Sequence, residues 1–137
     1  MRCNHRGFSL IEMLVALVVF SVGLLAIAGL QTMSKQANFE ALQRTAASQI
    51  AYGLLENMRI NGDAIDMYVG AGELGGGSRG GEPAPNCVGN AVCNAAQKAA
   101  HDLWFWEQVL DGNLEMSGNA GAGGLVMPSL CVNGPAG

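Results

Sequence analysis

Charge is scarce in this 137-residue chain: 13% of residues are Asp, Glu, Lys or Arg, and the balance is −4. A protein that follows a phosphate backbone needs a basic stripe, and beyond Arg59 the only basic residues are Arg79 and Lys98. Nucleic-acid binding is therefore not expected. Proline is scarcer still, with none before Pro83, so nothing in residues 8–61 obliges a helix to break. Aromatic residues make up 6% of the chain, and the length allows one domain at most. The Gly-rich distal part can bury only a small core and needs a helix to pack against. Cofactor motifs are missing too. No Gly-Lys-Ser/Thr follows the glycines at 75–81, and the C-x5-C spacing has no histidine at ligand distance, so neither a phosphate loop nor zinc is expected.

What is present in quantity is a hydrophobic run. Residues 8–30 contain only Ser9, Glu12 and Ser21 as polar side chains in 23 positions, long enough for a membrane segment. Arg2 and Arg6 crowd the residues before it, which by the positive-inside tendency keeps the N-terminus cytoplasmic and sends the rest outward. From Phe8 onward the 7 basic residues fall to 5 against 11 acidic ones, leaving −6. A helix over residues 9–61 would be roughly 80 Å long, more than twice what a bilayer core needs. Its second half carries Ala47, Ile50, Ala51, Leu54, Leu55 and Met58 at helical spacing, a stripe suited to holding a head. Arg59 suits the C-terminal end of the helix dipole, Asn61-Gly62 reads as a stop, and Asp63 can open a new turn.

Residues 62–137 read as a small head. Residues 70–85 are glycine-dense and read as a flexible tether. Residues 95–110 form a second helical pattern, with Ala99, Leu103, Trp106 and Leu110 on one face; Trp104, Phe105 and Trp106 make it the main apolar cap. Residues 124–132 alone resemble strands, at best two short ones or a bend at Pro128. Of four cysteines, Cys3 precedes the apolar run, and Cys87, Cys93 and Cys131 follow it into an oxidising compartment. One disulfide and one free thiol is the simplest outcome, and the short loop between Cys87 and Cys93 closes most easily.

Two N-terminal features call for chemistry. At Gly7-Phe8 basic residues lie directly before and the apolar run directly after, so a cut there would keep the whole hydrophobic segment, whereas an ordinary secretory signal is cut beyond it. Glu12 is a lone carboxylate five positions into that segment, where an unpaired charge is costly. A new α-amine on Phe8, with an ordinary pKa of about 7.7 to 8.0, is the only nearby cation once the leader has gone.

The run Arg6-Gly7-Phe8-Ser9-Leu10-Ile11-Glu12-Met13-Leu14-Val15-Ala16-Leu17 resembles the leader and helix start of type IV pilins and type II secretion pseudopilins. The resemblance implies an α+β pilin-like fold with a long N-terminal helix and a small, mostly helical, Gly-rich head whose sheet is short or incomplete. It implies residues 1–7 as leader, 8–30 as membrane and filament-core segment, 31–61 as its amphipathic continuation, and 62–137 as a periplasmic head. It further implies cleavage after Gly7 by a prepilin peptidase, N-methylation of Phe8, and a docking role for Glu12. Partners would be major and minor pilins and the inner-membrane assembly platform of a Gram-negative cell. Leu54-Leu55-Glu56-Asn57-Met58-Arg59-Ile60-Asn61 and Ala100-His101-Asp102-Leu103-Trp104 are similar to minor pilins called type IV pilus modification proteins, or PilV. Such proteins usually finish with an antiparallel sheet, and ending at Gly137 leaves a hairpin's worth of strand at most, so a truncated chain or a loosely helical head is expected, with Cys131 without its partner.

Three other readings compete. Ala26-Ile27-Ala28 matches a signal-peptidase site, but Glu12 would be a costly residue in a discarded signal. A secretion pseudopilin shares the mechanism and differs in the machine it serves. An enzyme is disfavoured: His101-Asp102 has no accompanying nucleophile motif, and on an amphipathic helix His101 is expected to face solvent.

Overall fold

The computed structural model describes Gly7 and residues 9–89, 91–118, 120–121 and 123–134. Phe8, the expected new terminus, lies outside the described residues, as do Arg2, Cys3 and Arg6. The chain divides into two compact units, Met1–Ala41 and Leu42–Gly137.

The first unit contains the start of α1, a single helix over Leu10–Ile60. The Ser9 carbonyl accepts from the amides of Glu12 and Met13 at 3.1 and 3.3 Å, closing the first turn. Two hydroxyls on the helix bond back to its own carbonyls: Ser21 Oγ donates to the Val18 carbonyl and Thr32 Oγ1 to that of Gly29, both at 2.8 Å. Every large apolar side chain from Leu10 to Met33 is at least half exposed. An aqueous surface does not tolerate an apolar patch of that extent. Among the described residues α1 is the one helix long and apolar enough to cross a membrane.

In the second unit, Ile50, Leu54 and Met58 of α1 meet Ala99, Leu103 and Leu110 of α3 (Ala95–Asp111). Ala64 in a 3-10 turn over Gly62–Ala64, Tyr68 in the short helix α2 (Ile65–Val69) and Leu74 in strand β1 (Glu73–Leu74) complete the core. Close approach of α1 to α3 depends on Gly53, because a Cβ there would lie 2.2 Å from the ring of Trp106. The α1 stripe is narrower than its spacing suggests. Leu55 is 45% exposed, and the smaller Gly53 faces α3 instead.

Asn61 both stops α1 and ties the elements together: its Nδ2 donates to the Ala95 carbonyl at 2.8 Å and to the Tyr68 hydroxyl at 3.2 Å. Helix α3 begins with a reciprocal cap, in which the Gln97 amide donates to Asn94 Oδ1 at 2.8 Å and the Asn94 amide to Gln97 Oε1 at 3.0 Å.

The sheet structure is short and split. Strand β1 pairs antiparallel with β4 (Leu130–Cys131), in the register Glu73 to Cys131 and Leu74 to Leu130. Strands β2 (Met116–Ser117) and β3 (Ala120–Gly121) form a separate antiparallel pair. The expected strand region at 124–132 supplies only β4; its partner β1 comes from the edge of the glycine-dense stretch, where composition gave no strand pattern.

That stretch is not merely a tether. The Gly76 and Gly77 amides donate to the Asp111 carboxylate at 2.8 and 2.9 Å, and the Gly75 and Arg79 amides to that of Glu107 at 3.1 and 2.7 Å. Gly75, Gly76 and Gly77 all have positive φ, a backbone curl that turns successive amides toward one side and that side-chain-bearing residues resist. Composition shows the freedom of such a segment, whereas two carboxylates one turn apart on α3 decide where it goes.

Candidate assembly site

The expected site residues lie at the start of α1. Gly7 is exposed. Glu12 falls in the first turn, where a negative charge complements the free amides of the helix N-terminus. Its neighbours Ile11, Val15, Ala16, Val19 and Phe20 line a shallow open groove of almost wholly apolar character. Among the described residues nothing pairs with the Glu12 carboxylate. The arrangement is an apolar helix face with one carboxylate set into it, four positions along the sequence from where cleavage would create an amine.

The other titratable cluster, in the second unit, does a different job. Asp102 is buried and accepts from the Tyr68 hydroxyl at 2.7 Å and from Lys98 Nζ at 2.6 Å. Burial, and then the neighbouring Asp102 carboxylate, push the Tyr68 phenol well above its ordinary range against the opposing Asn61 bond. Asp102 is thus committed to Tyr68 and Lys98, and no catalytic pair with His101 forms. His101 itself is 6% exposed and packs against Trp104 with ring centroids 5.8 Å apart, which corrects the expectation that it faces solvent. The flat aromatic ring fills the space beside Trp104 that a solvated side chain would leave empty.

Glu107 is fully buried. Burial opposes its ionisation, but bonds from the Ser78 hydroxyl and from the Arg79 and Gly75 amides outweigh it and hold the carboxyl below its ordinary value. Sequence reasoning passed over Glu107, Tyr68 and the Asn61 side chain. One signal was available: residue 107 lies four after Leu103 and three before Leu110, on the apolar face of α3, where a carboxylate must find donors.

Cys87 and Cys93 form a disulfide, and Cys131 in β4 is a free, exposed thiol. Among the described residues no cluster of three or more metal-ligating side chains occurs.

Residues 2–28 match the family described as the prokaryotic N-terminal methylation motif, and residues 29–104 match type IV pilin Tt1218. The second match alone covers 76 of the 137 residues. The chain belongs to the type IV pilin Tt1218 family. No curated protein and no solved structure matches it. Type IV pilins are structural proteins, and the long apolar N-terminal helix, the mostly helical second unit and the short antiparallel pairing agree with a pilin fold. In this type IV pilin the methylation motif contains Gly7, Phe8 and Glu12, while the Tyr68, Asp102 and Lys98 network lies within the pilin match.

Proposed function

We propose that this type IV pilin is a minor subunit of the type IV pilus, of the pilus-modification (PilV) kind, that primes or joins the filament. A prepilin peptidase removes residues 1–7, and Phe8 becomes the methylated terminus. Residues 8–30 then hold the protein in the inner membrane of a Gram-negative cell, with residues 31–61 and the head at 62–137 on the periplasmic side. The observation that carries this reading is the Glu12 carboxylate, unpaired on a helix face that is otherwise apolar and exposed.

In hydrocarbon, an unpaired carboxylate costs on the order of 3 kcal/mol. Leaving lipid for a bundle of other pilins replaces lipid contacts with equivalent dispersion contacts, so apolar burial alone favours neither state strongly. Pairing with a positive N-terminus, in its own or a neighbouring subunit, relieves the charge and supplies a directional difference. Glu12 is therefore a docking device, and the assembly platform and the other pilins are its partners.

Glu12→Ala tests this directly. The variant should insert into membrane fractions as the parent does, because it removes a charge from the apolar run, but it should fall severalfold in sheared filaments. Parental levels of the variant in filaments would refute the docking role.

A further inference from the structure

Asparagine followed by glycine is a chemically labile pair, and this chain contains it twice, at Asn61-Gly62 and Asn133-Gly134. The glycine amide nitrogen, once deprotonated, attacks the asparagine carboxamide carbon, because glycine has no Cβ to shield that nitrogen. A C–N bond forms, the bond to the carboxamide nitrogen breaks and ammonia leaves. Water then opens the five-membered succinimide to aspartate or isoaspartate. The reaction needs no enzyme, but it needs a carboxamide free to turn back on the chain and a following amide free of hydrogen bonds. Folding therefore decides where it proceeds.

The fold separates the two pairs. Asn61 is locked: its Nδ2 donates to the Ala95 carbonyl at 2.8 Å and to the Tyr68 hydroxyl at 3.2 Å, and its own carbonyl accepts from the Ala64 amide at 3.1 Å. Turning its carboxamide toward Gly62 would break both side-chain bonds at once. Asp111-Gly112 can close the same ring with loss of water, and it too is restrained. The Asp111 carboxylate accepts from the Gly76 and Gly77 amides at 2.8 and 2.9 Å, and the Gly112 amide donates to the Val109 carbonyl at 3.2 Å.

Asn133 lies two residues beyond β4 and is exposed. Among the described residues neither its carboxamide nor the Gly134 amide makes a hydrogen bond. Each restraint that holds Asn61 and Asp111 is missing here. We propose that the fold makes Asn133 a self-modification site, which loses ammonia through a succinimide with Gly134 while Asn61 is spared. Each event adds one negative charge, and the isoaspartate product adds one main-chain carbon just past the β1–β4 pair. The buried core, which contains neither residue, is left as it is.

The test is incubation of the purified full chain in detergent and mildly alkaline buffer at physiological temperature, followed by peptide mapping with mass spectrometry and an isoaspartate assay. Residue 133 should gain one mass unit at least about tenfold faster than residue 61, the factor that one hydrogen bond supplies. In strong denaturant the two rates should converge, because the bonds of Asn61 are then gone. Asn133→Gln, which would have to close a six-membered ring, should remove most of the acidic species that isoelectric focusing of the aged parent shows. Gly134→Ala is not a clean variant, since its Cβ would lie 2.9 Å from Val69 Cγ1. The proposal is overturned if residue 133 of the folded chain reacts no faster than residue 61, if the difference survives denaturant, or if aspartate forms without isoaspartate.

Discussion

Gly53 and Glu107 show how single residues set the packing of the second unit. A methyl group at position 53 would meet the Trp106 ring at 2.2 Å, and both partners belong to helices that cannot separate without opening the core. Gly53→Ala is expected to destabilise by about 1–3 kcal/mol despite its better helix propensity, seen as a lower thermal midpoint. Glu107→Gln keeps the shape but turns a donor toward amides that already donate, at a cost of about 1–3 kcal/mol. The pH dependence has a definite sign. The native carboxyl is held below its ordinary value, so its contribution is complete above that value and is lost as pH falls through the lowered one. Acid unfolding curves of Glu107→Gln should therefore be shallower than those of the parent on the acidic limb, and identical limbs would contradict the assignment.

At the scale of elements, what the sequence made legible was periodic. The helix expected over residues 9–61 became α1 to within a residue at each end, and Ala99, Leu103, Trp106 and Leu110 lie on the α3 face that meets the core. What it did not make legible depended on partners distant in sequence. Two-residue strands such as β1 and β4 carry no alternation to read, and they exist because residues 73–74 and 130–131 are brought side by side. Likewise the glycines at 75–77 showed only freedom, and His101 showed only polarity, until Glu107, Asp111 and Trp104 gave them neighbours. The reciprocal cap that starts α3 offers an element-scale check. Asn94→Ala should cost about 1 kcal/mol and fray the first turn of α3, measured as faster amide exchange at Gln97 and Lys98.

Across the whole molecule, the proposed docking residue and the folding network lie in different family matches, Glu12 within residues 2–28 and the Tyr68, Asp102 and Lys98 network within residues 29–104. Variants of one should leave the other intact: Glu12→Ala should fold its second unit normally, with the Cys87–Cys93 disulfide formed. Thiol counting gives a simple inventory. A chain that begins at Phe8 carries Cys87, Cys93 and Cys131, of which the disulfide consumes two, so a denatured, unreduced mature protein should take one alkylating group. An uncut precursor, which keeps Cys3, should take two.

In the proposed function the apolar helix is retained when the leader is lost. Intact mass with N-terminal sequencing of the membrane-extracted protein tests it most directly. A chain that begins at Phe8 and carries one added methyl group is expected, and Gly7→Ala should leave the precursor uncut. A product that begins at Gly29, beyond Ala26-Ile27-Ala28, would mean that the apolar segment is discarded and that Glu12 has no part in a filament.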